Sequence, residues 1–217
     1  MIDAILFDLD GTILDTLADL TDAVNYAKCE YGYKPNTISD TRMMIGNGIR
    51  NFIERSVNHD LTHIEEISDR FKLYYKDNCN NKTKPYDGIY DVLDYLKSKK
   101  IKMGVVSNKA IYATSILIDS HFEGYFDIVL GDGMGMPKKP DPTIIKYASE
   151  RLNVRIENTI YIGDSDVDIK TINNSGCIGM IVSYGFRDKN ELLKLIDRTY
   201  DSPKELLSTL LNKIENE

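Results

Sequence analysis

Two clusters of aspartates give this sequence its strongest chemical signal. Asp8 and Asp10, one residue apart, follow the short apolar segment Ala4–Phe7. Three more aspartates lie within Gly163–Asp168, directly after the apolar segment Thr159–Ile162. Carboxylates that converge repel one another unless a cation lies among them, and hard oxygen ligands suit Mg²⁺. The two clusters therefore predict a magnesium site if the fold brings them together.

The apolar segment before each cluster indicates how the clusters meet. Short buried runs of this kind are typical of strands in a parallel sheet, and ligand sites in open α/β sheets lie at the carboxyl ends of the strands. The strand period of two also places Asp8 and Asp10 on one side of the chain. A plainer interpretation stays open for each cluster alone. Asp8 and Asp10 also fit solvated residues at a strand end, and Ser165 with Asp166 fits an ordinary helix start.

Two further segments offer groups that bind phosphate. Ser107 and Asn108 follow the apolar run 104–106, so the serine hydroxyl and the next backbone amides are placed to hold a phosphate oxygen. Lys139, with its neighbouring lysine, precedes Asp141-Pro142, a typical helix opening with the aspartate as N-cap. One of these lysines would bring positive charge to the phosphate and the carboxylates. Taken singly, each segment also fits an ordinary turn or loop.

Strands and helices alternate along residues 84–183, which predicts an α/β fold with a Rossmann-like parallel sheet. Residues 16–83 instead carry apolar side chains at helical spacing. We therefore predict two domains, an α/β core of residues 1–15 and 84–217 and an inserted α-helical cap of residues 16–83. The predicted strands are 4–7, 104–106, 126–130, 159–162 and 178–182, and the predicted helices are 88–99, 110–121, 141–152, 166–175 and 203–215.

Composition and charge narrow the range of partners. The 217 residues are 42% hydrophobic and 28% charged, as in an ordinary globular protein. A net charge of −7 disfavours nucleic acid as a partner, and no apolar run reaches the roughly 20 residues that span a bilayer. The first residues lack the pattern of a signal peptide, and three scattered cysteines suit a reducing compartment. We expect a cytoplasmic protein, a monomer or a homodimer, with a small phosphorylated metabolite as its partner.

Taken together, the motifs resemble those of a known family. In this order they are similar to motifs I to IV of the haloacid dehalogenase-like hydrolases: Asp8-Leu9-Asp10-Gly11-Thr12, Ser107-Asn108-Lys109, Lys139-Pro140-Asp141-Pro142 and Gly163-Asp164. An α-helical cap inserted after the first motif fits the same family. Within it, the string Met44–Arg50, with its Gly46-Asn47-Gly48 pattern, resembles the phosphoglycolate phosphatase branch.

The resemblance implies a role for each residue of the motifs. Asp8 would be the nucleophile that forms an aspartyl-phosphate, and Asp10 would be the general acid and then the base. Ser107 and Asn108 would bind the phosphate, while Lys139 would steady the nucleophile and the phosphate. The expected function is therefore hydrolysis of a small phosphate monoester, with 2-phosphoglycolate as the expected substrate.

The same resemblance implies Mg²⁺ as the cofactor. Its ligands would be the Asp8 carboxylate, the backbone carbonyl of Asp10 and Asp164. Asp168 would be an additional acidic position, either a ligand of the metal or a partner of the ligands.

The cap is expected to select the substrate. The Gly46-Asn47-Gly48 string would let backbone amides approach it closely, and Arg50 would pair with a carboxylate. Arg42 and Arg187 are alternatives for that ion pair. The string also fits an ordinary turn before a helix, with Arg50 in solvent.

Other functions stay open. Asp10 argues against a dehalogenase, which lacks the second aspartate, and Gly163 stands where β-phosphoglucomutase-like phosphotransferases usually have glutamate. Neither Lys28 nor Lys34 matches the Schiff-base lysine that phosphonatases need. A pyrophosphatase would use all the same core motifs. Outside enzymes, the alternative is a phosphate-binding regulatory protein, which the complete set of chemical residues disfavours.

Overall fold

The computed structural model describes residues 2–46 and 48–215. Their strands are β1 (Ala4–Phe7), β2 (Leu14–Asp15), β3 (Lys84–Pro85), β4 (Lys102–Ala110), β5 (Ile128–Asp132), β6 (Thr159–Gly163) and β7 (Ile178–Ile181). Their α-helices are α1 (Leu17–Lys28), α2 (Ile38–Met44), α3 (Ile49–Ser56), α4 (Ile64–Asn78), α5 (Ile89–Ser98), α6 (Ile111–His121), α7 (Thr143–Leu152), α8 (Asp166–Ser175), α9 (Lys189–Leu192) and α10 (Pro203–Glu215).

A parallel sheet in the order β5–β4–β1–β6–β7 forms the centre of the molecule. Helices connect β4 to β5, β5 to β6 and β6 to β7, which confirms the predicted α/β fold. Each residue of β1 is buried, as expected for the middle strand of a sheet covered on both faces. In register, Phe7 lies beside Val105 on one side and Ile162 on the other. Residues that follow these three positions therefore come to the same edge of the sheet.

The segment between β2 and β3 is helical, as its apolar spacing predicts. Helix α1 packs along α4, and α3 also lies against α4. The apolar faces of these helices join the side chains of the sheet in a continuous cluster that includes Phe7, Phe52 and Phe71. Strands β2 and β3, where the chain leaves and re-enters the sheet region, pair with each other antiparallel. The division into two domains at these crossings stays a prediction.

Several predicted boundaries differ from the structure. Strand β4 extends from Lys102 to Ala110 rather than over residues 104–106, and β5 ends at Asp132 rather than at residue 130. Two predicted starts are early by two residues, each because an aspartate side chain replaces a backbone group. Strand β5 begins at Ile128, not at residue 126. The Met103 amide donates to the Asp127 carboxylate, 2.8 Å away, instead of to a strand carbonyl. Helix α7 begins at Thr143, not at Asp141. The Thr143 amide donates to Asp141 Oδ1 at 2.9 Å, which makes a turn before the helix begins.

Among residues 2–46 and 48–215, no helix has both the length and the apolar character needed to cross a membrane.

Candidate active site

Three buried carboxylates meet at the carboxyl edge of the sheet. Asp8 continues β1, and its amide donates to Ile162 O at 2.8 Å. Asp164 directly follows β6, and Asp168 lies in the first turn of α8. One oxygen from each of these three carboxylates lies within 4.8 Å of the others. The structure thus brings together the two clusters that are 156 residues apart between Asp8 and Asp164 in the sequence.

Lys139 lies among these carboxylates. Its Nζ is 2.9 Å from Asp8 Oδ1 and 2.8 Å from Asp168 Oδ1, and its side chain is 3% exposed. It also donates to the Tyr161 hydroxyl at 2.7 Å. Burial by itself would lower the pKa of Lys139, but the charges of Asp168 and Asp8 outweigh it and raise the pKa above its ordinary value. The lysine is therefore a fixed positive charge beside the Asp8 carboxylate.

Asp168 has little capacity left for another ligand. Its Oδ1 accepts from Lys139 and from the Tyr161 hydroxyl, each at 2.8 Å. Its Oδ2 accepts from the Asp164 amide at 3.2 Å and from both the amide and the hydroxyl of Ser165, at 3.1 and 2.6 Å. A carboxylate has about four lone-pair sites, so these five contacts saturate it. Burial tends to raise the pKa of Asp168, but Lys139 and the hydrogen bonds hold the pKa below its ordinary value.

Asp8 and Asp164 have the properties of a cation site. Burial raises the pKa of Asp8 to about 6 against the opposing charge of Lys139, and burial raises the pKa of Asp164 well above its ordinary value, with the charges of Asp168 and Asp8 adding to it. Two buried carboxylates held in the ionised form at neutral pH cost free energy unless a cation neutralises them. Their hard oxygen atoms fit Mg²⁺. Asp164 is also fixed in orientation, because its Oδ2 accepts from the Phe186 amide at 2.7 Å.

The side chain of Asp10 has its own set of partners. Its Oδ1 accepts from Lys109 Nζ at 3.0 Å and from the Thr16 hydroxyl at 2.7 Å. The Lys109 ammonium, whose side chain is 5% exposed, also donates to the Tyr75 hydroxyl of α4 at 2.6 Å. No role is predicted for Lys109 from the sequence. Its position immediately after Ser107 and Asn108 was the signal that could have found it.

Ser107 and Asn108 sit where β4 becomes irregular. The pairing of β4 with β5 shifts register between Val106 and Ala110. Ser107 is buried, and its Oγ accepts from the Lys109 amide at 3.2 Å. The Asn108 side chain donates to Lys139 O at 2.9 Å and accepts from Lys139 N at 2.8 Å. Asn108 therefore fixes the backbone that carries Lys139.

A pocket that is open to solvent lies over these groups, and the empty space in and at the mouth of it is about 850 Å³. Its polar side includes Asp8, Asp10, Ser107, Lys139 and Asp164. Apolar side chains from the helical segment form the opposite wall: Leu20, Ile49, Phe52, Phe71 and Tyr75. A small polar molecule bound here would be enclosed between the sheet edge and the helices.

The candidate cap residues take different places. Gly46 and Gly48 line the pocket, while Asn47 lies outside the described residues. Arg50 is not among the residues that line the pocket. Its side chain is 58% exposed and pairs with Glu65. Arg187 does line the pocket, and from the loop after β7 it contacts the backbone at the end of α2. The structure thus brings Arg187, and not Arg50, to the site.

Lys28, which lies in the predicted cap, is buried and is not among the residues that line the pocket. Its Nζ donates to Asn36 Oδ1 and to Ser56 O, the latter at 2.9 Å. Its contacts are those of a structural residue that joins α1 to the end of α3.

The comparison with known proteins agrees with this geometry. Residues 5–182 match the family of haloacid dehalogenase-like hydrolases. The chain belongs to this family. It is 32% identical over 211 residues to a phosphoglycolate phosphatase of Aquifex aeolicus (strain VF5), with 97% of each chain covered. It is 30% identical over 222 residues to a phosphoglycolate phosphatase of Neisseria meningitidis, with 99% of this chain and 93% of the relative covered.

A solved structure extends the family likeness to three dimensions. The crystal structure of a candidate phosphoglycolate phosphatase from Lactobacillus delbrueckii subsp. bulgaricus matches with a TM-score of 0.91 and 33% identity. The match covers 95% of this chain and 97% of that one. These matches confirm the family resemblance found in the motifs, and they show that the protein is a phosphatase of this family.

Proposed function

We propose that this enzyme is a Mg²⁺-dependent phosphatase that hydrolyses a small phosphate monoester, 2-phosphoglycolate, through an aspartyl-phosphate on Asp8. The observation that carries the proposal is the Lys139 ammonium 2.9 Å from the Asp8 carboxylate, at the bottom of a pocket that also exposes Asp10 and Ser107. A carboxylate nucleophile beside a fixed cation suits attack on a phosphorus atom whose oxygens carry negative charge.

Two displacements account for the reaction. In the first, an Asp8 carboxylate oxygen forms a bond to phosphorus and the bond from phosphorus to the ester oxygen breaks. Asp10, in its protonated form, gives its proton to the leaving alcohol oxygen. In the second, the Asp10 carboxylate takes a proton from water as the water oxygen bonds to phosphorus. The bond between phosphorus and Asp8 then breaks, which releases phosphate and restores both aspartates.

The other polar groups hold the phosphoryl group in place. Lys139 offsets negative charge on Asp8 and on the phosphoryl oxygens, and the Ser107 hydroxyl donates to one of those oxygens. Asp8, Asp164 and the backbone carbonyl of Asp10 would hold Mg²⁺, which supplies further charge neutralisation when bound. We assign Asp168 to the support of Lys139 and of the loop after β6, because five donors already occupy its oxygens.

Two kinds of observation support 2-phosphoglycolate as the substrate. The relatives from Aquifex aeolicus and Neisseria meningitidis, both matched over nearly the whole chain, are phosphoglycolate phosphatases. In addition, Lys109 lines the pocket besides Lys139, so a second positive charge lies near the site for another anionic group on the substrate. A cytoplasmic location and a monomeric or homodimeric state stay predictions.

Phosphate release with Mg²⁺ and with EDTA tests the proposal, on a panel of 2-phosphoglycolate, pyrophosphate, sugar phosphates and a nucleoside monophosphate. We expect Mg²⁺-dependent turnover of 2-phosphoglycolate that Asp8→Asn abolishes. Asp3→Asn is the matched control, since Asp3 precedes the opposite end of β1, where its carboxylate accepts from Asn158. Preferred turnover of pyrophosphate or a sugar phosphate would support the mechanism but overturn 2-phosphoglycolate as the substrate. Absence of release from the whole panel by a folded, Mg²⁺-bound protein would overturn the phosphatase proposal.

A further inference from the structure

An arginine of the core holds the backbone of the cap. Arg187 lies in the loop after β7, and its Nη2 donates to Ile45 O at 2.5 Å while its Nη1 donates to Arg42 O at 3.2 Å. Both acceptors lie at the end of α2, where carbonyl groups lack partners within the helix. The carbonyl end of a helix also attracts a positive charge. The guanidinium of Arg187, which is positively charged and donates from both Nη atoms, therefore suits these carbonyl groups.

The acceptor Ile45 directly precedes Gly46, and the described residues Ile45, Gly46 and Gly48, here called the glycine loop, form part of the pocket wall. A second arginine, Arg55 of α3, holds the same region from within the cap through Met44 O at 2.8 Å and Gly46 O at 3.3 Å. Four carbonyl groups around the end of α2 are thus divided between two arginines. Arg55 of the cap binds those of Met44 and Gly46, and Arg187 of the core binds those of Arg42 and Ile45. Arg187 is the partner that crosses from the core to the cap.

The two glycines leave room for cations of the core. A Cβ atom on Gly46 would lie 2.9 Å from Arg187 Nη2, and a Cβ atom on Gly48 would lie 2.7 Å from Lys138 Nζ. Both glycines also have positive φ angles, 124° and 88°, which disfavour other residues. The glycine spacing noted in the sequence is thus explained by contact with the core as well as by backbone conformation.

Each of these core cations has an acidic neighbour on the core. Lys138 pairs with Asp132 at 2.8 Å, and Arg187 Nε lies 3.8 Å from Asp166 Oδ1. The Arg187 side chain is 24% exposed, so its charge is partly shielded from water. An arginine oriented in this way by its own domain loses less side-chain entropy when it binds the cap carbonyls.

We propose that Arg187 is a positioning residue that holds the glycine loop against the core and so keeps the cap over the pocket. The inference rests on the proposed function only for the choice of substrate. When Arg187 is absent, a smaller fraction of the free enzyme has the cap in place, and the apparent affinity for substrate falls in proportion to that fraction. Substrate at saturation restores the closed arrangement, so turnover is less affected than affinity.

Arg187→Met, Arg187→Lys and the control Arg70→Met test the proposal in the full chain. Arg70 is a matched arginine because its side chain is 26% exposed and its ion pair with Glu30 stays within the cap. Steady-state kinetics with 2-phosphoglycolate should give a KM about tenfold higher for Arg187→Met, about 1.4 kcal/mol in affinity, with kcat changed less than about threefold. Arg187→Lys keeps the charge but loses the two-pronged guanidinium, so its KM should lie between those of the wild type and Arg187→Met. Arg70→Met should leave KM unchanged.

Amide hydrogen exchange without substrate gives a second readout. In Arg187→Met, peptides from residues 42–52 should exchange faster than in the wild type while the melting temperature stays within a few degrees. Wild-type KM and wild-type exchange in that variant would overturn the proposal, and so would a loss confined to kcat. If Arg187→Met does not fold, KM and amide hydrogen exchange of the conservative variant Arg187→Lys test the proposal instead. A wild-type protein inactive on 2-phosphoglycolate would refute the proposed substrate, whereas hydrogen exchange would still decide whether Arg187 holds the cap.

Discussion

Replacing Lys139 with methionine tests the electrostatic balance of the site directly. The side chain is 3% exposed, and its ammonium lies 2.9 Å from Asp8 and 2.8 Å from Asp168. Methionine is close to lysine in length and volume, so Lys139→Met removes a charge with little change in packing. What remains is a set of buried carboxylates without their cation.

The expected loss of stability is large. Removing one partner of a buried ion pair costs about 3–5 kcal/mol, because the other charge stays buried and unpaired. In a chain of 217 residues, 1 kcal/mol corresponds to a shift in Tm of about 2–4 °C. The metal-free variant should therefore melt about 6–20 °C below the wild type. Added Mg²⁺ should recover part of this loss, since Asp8 and Asp164 would then share a bound cation.

Thermal melts in EDTA and in Mg²⁺ measure this effect, with Lys138→Met as the control. Lys138 is the adjacent lysine, but its side chain is 42% exposed and it pairs with Asp132 near the surface. An exposed pair contributes about 0–1 kcal/mol, so the control should lose at most about 4 °C. Equal losses in the two variants would refute the conclusion that Lys139 neutralises buried carboxylates. A Lys139→Met protein that Mg²⁺ fails to stabilise would refute the metal site.

Three further predictions concern other buried charges. Asp8→Asn should abolish turnover yet stabilise the metal-free protein at pH 7.5 by about 3 kcal/mol, because burial raises the pKa of Asp8 from 3.8 to about 6. The ionised form destabilises the fold, so the gain should be full above pH 6 and fade as pH falls towards 4, which paired melts across this range measure. Lys109→Met should lower kcat for an alkyl phosphate about 10–100-fold, since Lys109 holds Asp10, and should affect p-nitrophenyl phosphate less because its leaving group needs no proton. Lys28→Met should lower Tm by about 2–12 °C, because it leaves the buried Ser56 carbonyl without its 2.9 Å donor.

Each of these predictions has a contradicting outcome. For Asp8→Asn, a stability difference that does not vary with pH would contradict the burial argument. For Lys109→Met, equal losses on alkyl and aryl phosphates would mean that it does not act through Asp10. For Lys28→Met, the exposed Lys34 supplies the control variant Lys34→Met, and equal melting of the two would exclude a structural role for Lys28.

Much of the fold could be predicted because its signals are local. The predicted helices 166–175 and 203–215 agree with α8 and α10, since each has a clear start and a regular apolar face. Helix α2 had no separate prediction because its seven residues show too little periodicity. Its sequence signal is the pair Thr37 and Asp40, which form a capping box. The predicted start of β5 was wrong because the Asp127 side chain takes the place of a backbone acceptor.

The sequence by itself determined that Asp8 and Asp164 would meet. Each follows a short apolar run, and parallel strands present their carboxyl ends at one edge, so local pattern and general topology suffice. The same reasoning gave Ser107 its place beside them. These inferences need no knowledge of how loops fold.

Only the tertiary structure decided which cations and acceptors pair across the chain. Lys109 contacts Asp10, and Arg187 rather than Arg50 reaches the pocket. Asp168 lies in the acidic cluster, but its oxygens are already occupied by donors that include Lys139. Such pairings join residues far apart in sequence through the geometry of loops and bulges. Periodicity specifies the face on which a side chain lies, whereas the partner opposite that face depends on how separate elements pack.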